Sequence, residues 1–372
     1  MKRYRMLITA LSPIHIGTGE EITPFEYLIK KDEKLDCWLF YRIDLTKMLS
    51  DLPPSKRKEF DRVTDSADIS SVRKFILENV RLEHHQLYPC GVNYELVQAY
   101  QQNLKNPHNQ LIIHPHLRRA DTWQAIIPGS SIKGAIRTAV VSSLMSDWPP
   151  EQRIDFKNFE SEVLNYSNER GRADIRRDPF RCLQIADADL PLDGLSIDPA
   201  VIFKPGKSDL PDPAGIQMFY EITYSRLDGE NVTAQTRLSL DDKLPFTEAL
   251  DKKTQQKQSG VSMPLDVETI RKHCLDFYQP KMQEEHERFY QKSADLQTAN
   301  EPLLQETFGP LEFPLRLGRF SHVECVTVDK FRQPNTRRDR RTGRPIGYGN
   351  TRTLAARRYP LGWVRVSLEP LN

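Results

Sequence analysis

The residues best suited to chemistry fall in four places. In the stretch Ile127-Pro128-Gly129-Ser130-Ser131-Ile132-Lys133-Gly134-Ala135-Ile136-Arg137, Gly129, Ser130 and Ser131 place free backbone N–H groups at a helix start, where the dipole favours an anion. Lys133 and Arg137 follow four residues apart on one helical face. Two readings stay open: a cradle for one or two phosphates, or a capped helix with two solvated cations. In Leu315-Arg316-Leu317-Gly318-Arg319-Phe320-Ser321-His322, Gly318 lets backbone come close to a sugar–phosphate chain. Arg319 suits a phosphate and Phe320 a base, while a β-turn with a buried Phe is the plainer alternative. The third place is the loop Pro334 to Arg358, holding Arg337, Arg338, Arg340, Arg341, Arg344, Arg352, Arg357 and Arg358, with Gly343, Gly347, Tyr348 and Gly349 interleaved. That mixture suits single-stranded nucleic acid.

The fourth is His15, in His15-Ile16-Gly17-Thr18-Gly19. A loop histidine can act as general base in RNA cleavage through the 2′-hydroxyl, but no acid or cation accompanies it in the sequence, and a structural role is the simpler reading. Asp187 and Asp189 share a face if extended, yet lack a third carboxylate for Mg²⁺. His114 and His116, and the pair His84–His85, have no acidic or cysteine partner at ligand spacing. Glu20 and Glu21 read as solvated. We expect no metal and no cofactor; no phosphate-binding P-loop, nucleophile elbow or dinucleotide fingerprint is present.

Charge narrows the class of partner. Of 372 residues with net charge +2, the window 316–365 carries twelve Arg and one Lys against three acids. It is therefore +10 and the remainder −8, which points to a polyanion. The composition, 28% charged and 9% aromatic, is that of an ordinary globular protein rather than a disordered one. No apolar run reaches the ~18 residues of a membrane span. The basic start leads into a strand pattern, not a signal-peptide core. Five dispersed cysteines argue against a disulfide framework or a cysteine zinc site. Together these features point to the cytoplasm and no membrane partner.

The elements that must position these residues show in the periodicity. Tyr4, Met6, Ile8 and Ala10 alternate as a half-buried strand. Residues 37–43 read as a strand, 55–88 as helical, and 111–127 as a hairpin or extended arm. Ile132, Ile136, Val140 and Leu144 recur at helical spacing. Residues 217–240 alternate on both sides of Asp228-Gly229 and read as a hairpin. Residues 265–298 read as two helices broken at Pro280, followed by strands near 323–328 and from Trp363 to Leu368. Mixed strands and helices with turn-linked strands give an α+β class. We divide the chain into an N-terminal half, 1–200, with a helical insertion near 55–88. The C-terminal half, 201–372, holds the 217–240 hairpin, the 265–298 helical insertion, a glycine-containing loop and the basic loop.

Taken in order, these segments resemble the RAMP proteins of CRISPR systems. The early strand with His15-Ile16-Gly17-Thr18-Gly19, the Pro-Gly-Ser-Ser-Ile-Lys-Gly segment and Gly318 carry the likeness. Thr23-Pro24-Phe25, Pro334-Asn335-Thr336-Arg337 and Pro360-Leu361-Gly362-Trp363-Val364 look like the family of fifth subunits of type III-A (Csm) effector complexes. The resemblance implies a ferredoxin-like (RRM-type) RAMP core with helical insertions. It implies a non-catalytic subunit that holds and caps the 3′ part of the guide crRNA and supports crRNA maturation in antiviral defence. Its partners would be the guide, target RNA indirectly, other Csm subunits (especially the backbone-forming RAMP subunit) and host trimming nucleases. Gly129, Ser130, Ser131, Lys133, Arg137, Gly318, Arg319, Phe320, His322, Arg337, Arg338, Arg340 and Arg341 would bind RNA. The glycine loop holds Gly318 alone where relatives often carry two or three glycines, so side chains there would do more of the binding. The alternative is a metal-independent RAMP endoribonuclease that processes repeat RNA with His15 as base.

Overall fold

The computed structural model describes residues 1–66, 68–103, 111–146, 159–168, 170–205, 218–223, 231–241, 249–250, 257–258, 265–329, 343 and 349–371. It is a mixed α/β fold built on two sheets. The strands in chain order are β1 (Lys2–Ala10), β2 (Tyr27–Asp32), β3 (Cys37–Ile43), β4 (Gln86–Val92), β5 (Ile113–His114), β6 (Ile126–Ile127), β7 (Leu183–Ile185), β8 (Ala188–Asp189), β9 (Leu195–Phe203), β10 (Met218–Thr223), β11 (Thr233–Leu240), β12 (Ala249–Leu250), β13 (Lys257–Gln258), β14 (Glu312–Arg316), β15 (Arg352–Ala355), β16 (Tyr359–Pro360) and β17 (Trp363–Leu371). The helices are α1 (Leu45–Ser50), α2 (Pro54–Asp65), α3 (Ile69–Asn79), α4 (Leu82–His85), α5 (Tyr94–Asn103), α6 (Gly129–Ser146), α7 (Phe159–Val163), α8 (Val267–Glu285), α9 (Ala294–Leu304) and α10 (His322–Val326).

The first sheet runs β14-β17-β1-β11-β8-β6, with β7 also on β11. Every pairing is antiparallel. In β1 the face read from the sequence is the buried one: Met6, Ile8 and Ala10 are at most 1% exposed. The long helices α6 and α8 lie side by side over this sheet, tied where the Tyr278 hydroxyl donates to the Ala135 carbonyl at 3.0 Å. The second sheet runs β16-β15-β9-β4-β3-β2, with β10 between β9 and the short parallel strand β5. One core joins both sheets, from Met6 and Trp363 to Tyr27 and Phe40.

Four expectations need correction. Residues 217–240 are not a hairpin. β11 alternates as read and pairs with β1 in the first sheet, whereas β10 pairs with β9 and β5 in the second. Burial explains the split: Phe219 to Thr223 are buried on both faces, whereas β11 exposes every other residue. α8 runs through Pro280, which lacks an N–H and costs an interior helix roughly 3 kcal/mol. Ile270, Cys274, Phe277, Tyr278 and Met282 bury one continuous face across it, and that packing holds the helix together. The chain changes course later, in a π turn over His286–Tyr290. The apparent strand at 323–328 is α10, whose turn buries Glu324 and Cys325. The helical stretch ends at His85, and 86–92 is β4. The division at residue 200 falls inside β9, and each sheet takes strands from both halves.

Among the described residues no helix is long and apolar enough to cross a membrane.

Candidate nucleic-acid interface

The segment after β1 is the junction that gathers the remote motifs. Ile14 N–H donates to the Thr223 hydroxyl at 2.9 Å and Leu117 N–H to the Ile16 carbonyl at 2.8 Å. The His15 carbonyl accepts from Arg319 N–H at 3.0 Å. Gly318 is required there: its φ is +91°, and a Cβ would stand 2.3 Å from the His15 carbonyl oxygen. This glycine serves a close approach of the chain to itself. Gly362 acts alike, with φ +97° and its N–H on the Pro13 carbonyl at 2.7 Å.

These contacts form a cleft of about 520 Å³. One wall is the Ile16–Gly17 turn. The second is the face of α6 carrying Ser131, Gly134, Ala135 and Thr138. The third is the chain from Arg316 to Val326. Three motifs separated by more than a hundred residues thus meet at one opening. Its lining, among the described residues, contains guanidinium groups, hydroxyls and small apolar side chains, with no carboxylate and no imidazole. Cys325 lines it too, but burial holds its thiol up at about 11, so it offers no thiolate at neutral pH. The arrangement suits holding an anion and offers no acid–base pair for cutting one.

The residues assigned from sequence are distributed differently. Gly129 N–H donates to the Asp187 carboxylate at 2.9 Å, so that donor is already used. A Cβ at Gly129 would lie 2.1 Å from the Ile185 carbonyl oxygen, so the glycine serves helix–sheet packing. Ser130 is exposed, and Ser131 faces the cleft. Lys133 Nζ donates to the Leu183 carbonyl at 2.8 Å. Arg137 is saturated: Nε meets Glu160 at 2.8 Å, Nη1 meets Asp178 at 2.9 Å, and Nη2 donates to the Tyr166 hydroxyl at 3.0 Å. Lys133 and Arg137 tie α6 to the 159–183 region. Asp189 holds Arg119 at 2.8 Å. The paired aspartates have structural partners, and no group of three or more His, Cys, Asp or Glu among the described residues could hold a metal ion.

Arg319 is exposed at the cleft rim with no carboxylate partner among the described residues, and its guanidinium lies 6.0 Å from the Tyr220 ring. Phe320 is half-buried, edge-on to Tyr220 at 5.1 Å, so it packs as core rather than standing free for a base. His322 is not a surface ligand. It opens α10 with φ +57°. Burial and the nearby Arg316 and Arg352 lower its pKa to about 3. Arg337, Arg338, Arg340 and Arg341 lie outside the described residues.

His15 is 1% exposed. Its Nδ1 lies 2.8 Å from the Glu221 carbonyl, which only accepts, so Nδ1 carries the proton. Burial lowers its pKa to about 4, with Arg319 and His114 acting the same way against the carbonyl bond. Its Nε2 is sealed beneath Gly17, where a Cβ would come within 3.0 Å. A general base must touch the proton it takes, and this imidazole is enclosed. His116 is likewise internal: Nδ1 accepts from Ile16 N–H at 3.2 Å, which leaves Nε2–H for the Ile126 carbonyl at 3.2 Å.

Sequence reasoning missed the ion cluster behind the cleft. Glu285 on α8 accepts from Arg316 Nη1 at 2.9 Å and Arg352 Nε at 2.5 Å, and from Trp363 Nε1 at 2.9 Å. Burial alone would raise its carboxyl, but the two guanidinium groups outweigh burial and hold it at about 2. It also missed Gly134, Ala135 and Thr138, which continue the α6 face from the assigned Ser131. The signal was four small residues at i, i+3, i+4 and i+7, passed over for the conspicuous cations beside them.

The comparisons with known proteins agree with this architecture. The family model of the RAMP superfamily matches residues 7–360. The "CRISPR system Cms protein Csm5" of Methanocaldococcus jannaschii is 30% identical over 187 residues, covering 48% of this chain and 41% of that protein. The aligned chain therefore spans less than half of that relative. Among solved structures, a chain of a type III-A Csm–crRNA–target RNA ternary complex superposes with TM-score 0.64 at 17% identity, covering 99% of this chain and 100% of that one. The crystal structure of T. onnurineus Csm5 superposes with TM-score 0.60 at 17% identity, covering 96% and 99%.

Proposed function

The chain belongs to the RAMP superfamily, and on that premise we propose that it is a non-catalytic RNA-binding subunit of a type III-A (Csm) effector complex. It holds and caps the 3′ part of the guide crRNA and supports its maturation. The observation that carries this reading is the cleft: its three motif-bearing walls present cations and hydroxyls and no acid–base pair. A guide with a variable spacer demands contacts to its backbone rather than its bases, and Arg319 at the rim suits that task. The relatives that agree with it are a Csm5 protein and a chain of a Csm–crRNA–target RNA complex.

The strand order supports a ferredoxin-like core. Reading β1, α6, β7/β8, β11, α8 and β17 as βαββαβ gives the antiparallel order β17-β1-β11-β8, with β14 added at the edge. The partners in this reading are the guide, the other Csm subunits (above all the backbone-forming one) and a trimming nuclease supplied by the host.

The test is purification of the tagged chain from its native host, with sequencing of bound RNA and mass spectrometry of co-purifying proteins. The reading expects guides of discrete length with a shared repeat-derived 5′ tag, alongside Csm-type subunits. Recovery of neither would overturn it.

A further inference from the structure

The region that Arg137 ties to α6 carries an ordered knob turned to solvent. Ser167 and Ala173 bridge antiparallel, and Asp174 N–H closes onto the Tyr166 carbonyl at 2.9 Å. At the tip the Asn168 side-chain oxygen accepts from Arg170 N–H at 2.9 Å and from Arg172 N–H at 3.1 Å. Gly171 turns the chain there with φ +67°. A short 3₁₀ turn, Ile175–Arg177, follows and is capped by the Asp174 carboxylate. Arg137 holds the base through Asp178 and the Tyr166 hydroxyl. This scaffold presents Ile175 at 74% exposure, among Arg170, Arg172, Arg176 and Arg181, which are all exposed. Asp174 steadies Arg176 at 2.9 Å, and Arg181 donates to the Arg176 carbonyl. The guanidinium groups of Arg170 and Arg172 have no partner among the described residues. Every basic residue from 166 to 182 is arginine. Interfaces are enriched in arginine and depleted of lysine, the more strongly hydrated cation.

We propose that this knob docks the chain onto a neighbouring protein subunit, on a face of that subunit that carries carboxylates around an apolar socket. Ile175 fills the socket, and Arg170, Arg172 and Arg176 meet the carboxylates. Charge complementarity sets the sign of the partner, because guanidinium forks pair best with anionic oxygen. Ile175 decides between carboxylate and phosphate. A sugar–phosphate chain gives an isoleucine no apolar cover, whereas the core of a protein interface does. No aromatic side chain from 166 to 182 is exposed to take a base: Tyr166 and Phe180 are buried. The turns are set before the partner arrives, which lowers the ordering cost of docking. No residue of the cleft comes from 159–183, so docking and RNA binding can be lost separately. This inference rests on the effector-subunit reading above and assigns that subunit a protein-facing surface.

The test is the effector complex purified from its native host through a tag on another subunit, with the share of complexes that retain this chain read by native mass spectrometry. Ile175→Asp and the double variant Arg170→Glu, Arg172→Glu change exposed side chains only. The purified full-length variants should therefore melt and bind a labelled single-stranded RNA as the wild type does. Their retention in the complex should fall by at least roughly tenfold. Ile175→Lys loses the apolar contact but keeps the sign of the knob, and it should be retained better than Ile175→Asp. Wild-type retention of Ile175→Asp and of the double variant overturns the docking surface and leaves the effector-subunit reading standing. Equal loss of Ile175→Lys and Ile175→Asp overturns the acidic partner. A matching loss of RNA affinity by the purified variants would make the knob an RNA surface and overturn the protein assignment. Absence of the wild-type chain from the complex overturns both readings.

Discussion

At the scale of single residues, Glu285 does the most to keep the cleft in shape. Its one carboxylate orients Arg316, Arg352 and the Trp363 indole. Its pKa falls from 4.5 to about 2 because two cations outweigh burial. A depressed carboxylate pKa gives stability that is full above the unfolded value and is lost as pH falls through the folded one. The protein should therefore lose this contribution between about pH 4.5 and pH 2. Glu285→Gln should destabilise the fold by about 3–5 kcal/mol at pH 7, since it strands two buried cations, and should flatten the pH dependence in that acid window. Melting curves at pH 7 and pH 3 check both parts; an unchanged acid slope would contradict the second. None of this was legible in the sequence, because Glu285, Arg316 and Arg352 have no spacing that announces a cluster. Gly129 shows the converse. Its motif was legible, but its purpose was not: what makes glycine obligatory is a carbonyl on Ile185, visible only once the sheet is placed.

At the scale of elements, periodicity located β1, β3, β10, β11, β17 and the long helix α6 but passed over β9 and most short strands, and it failed where two elements of the same pattern joined different sheets. Both segments alternate in sequence, so residues 217–240 read as a hairpin; only the burial of β10 on both faces separates them. The α6 helix shows the same limit for function. Its conspicuous cations, Lys133 and Arg137, serve as internal ties, while its inconspicuous small residues line the cleft. Arg137→Ala should cost roughly 2–4 kcal/mol of stability, because Asp178 and Glu160 lose a half-buried partner. RNA affinity of the folded protein should stay within about twofold of the wild type, a change near the noise of such measurements. A large affinity loss without a stability loss would return Arg137 to the interface.

At the scale of the whole molecule, the two sheets interlock the ends of the chain. β1 is flanked by β17 and β11, and β9 by β15 and β4. Separate expression of residues 1–200 and 201–372 should therefore yield two chains with no cooperative melting, and mixing them should restore it only in part. Independent folding of either half would contradict the interlock. The concentration of charge was legible from composition alone: the +10 window contains Arg316 and Arg319 at the cleft and the arginines that follow them in sequence. The measurement that tests the central claim most directly is ultraviolet cross-linking of the chain to guide RNA in its purified effector complex, with the linked peptides read by mass spectrometry. The account predicts cross-links within residues 131–138 and 316–326, the two long walls of the cleft. Cross-links confined to other surfaces, or none to this chain in a complex that retains its guide, would contradict it.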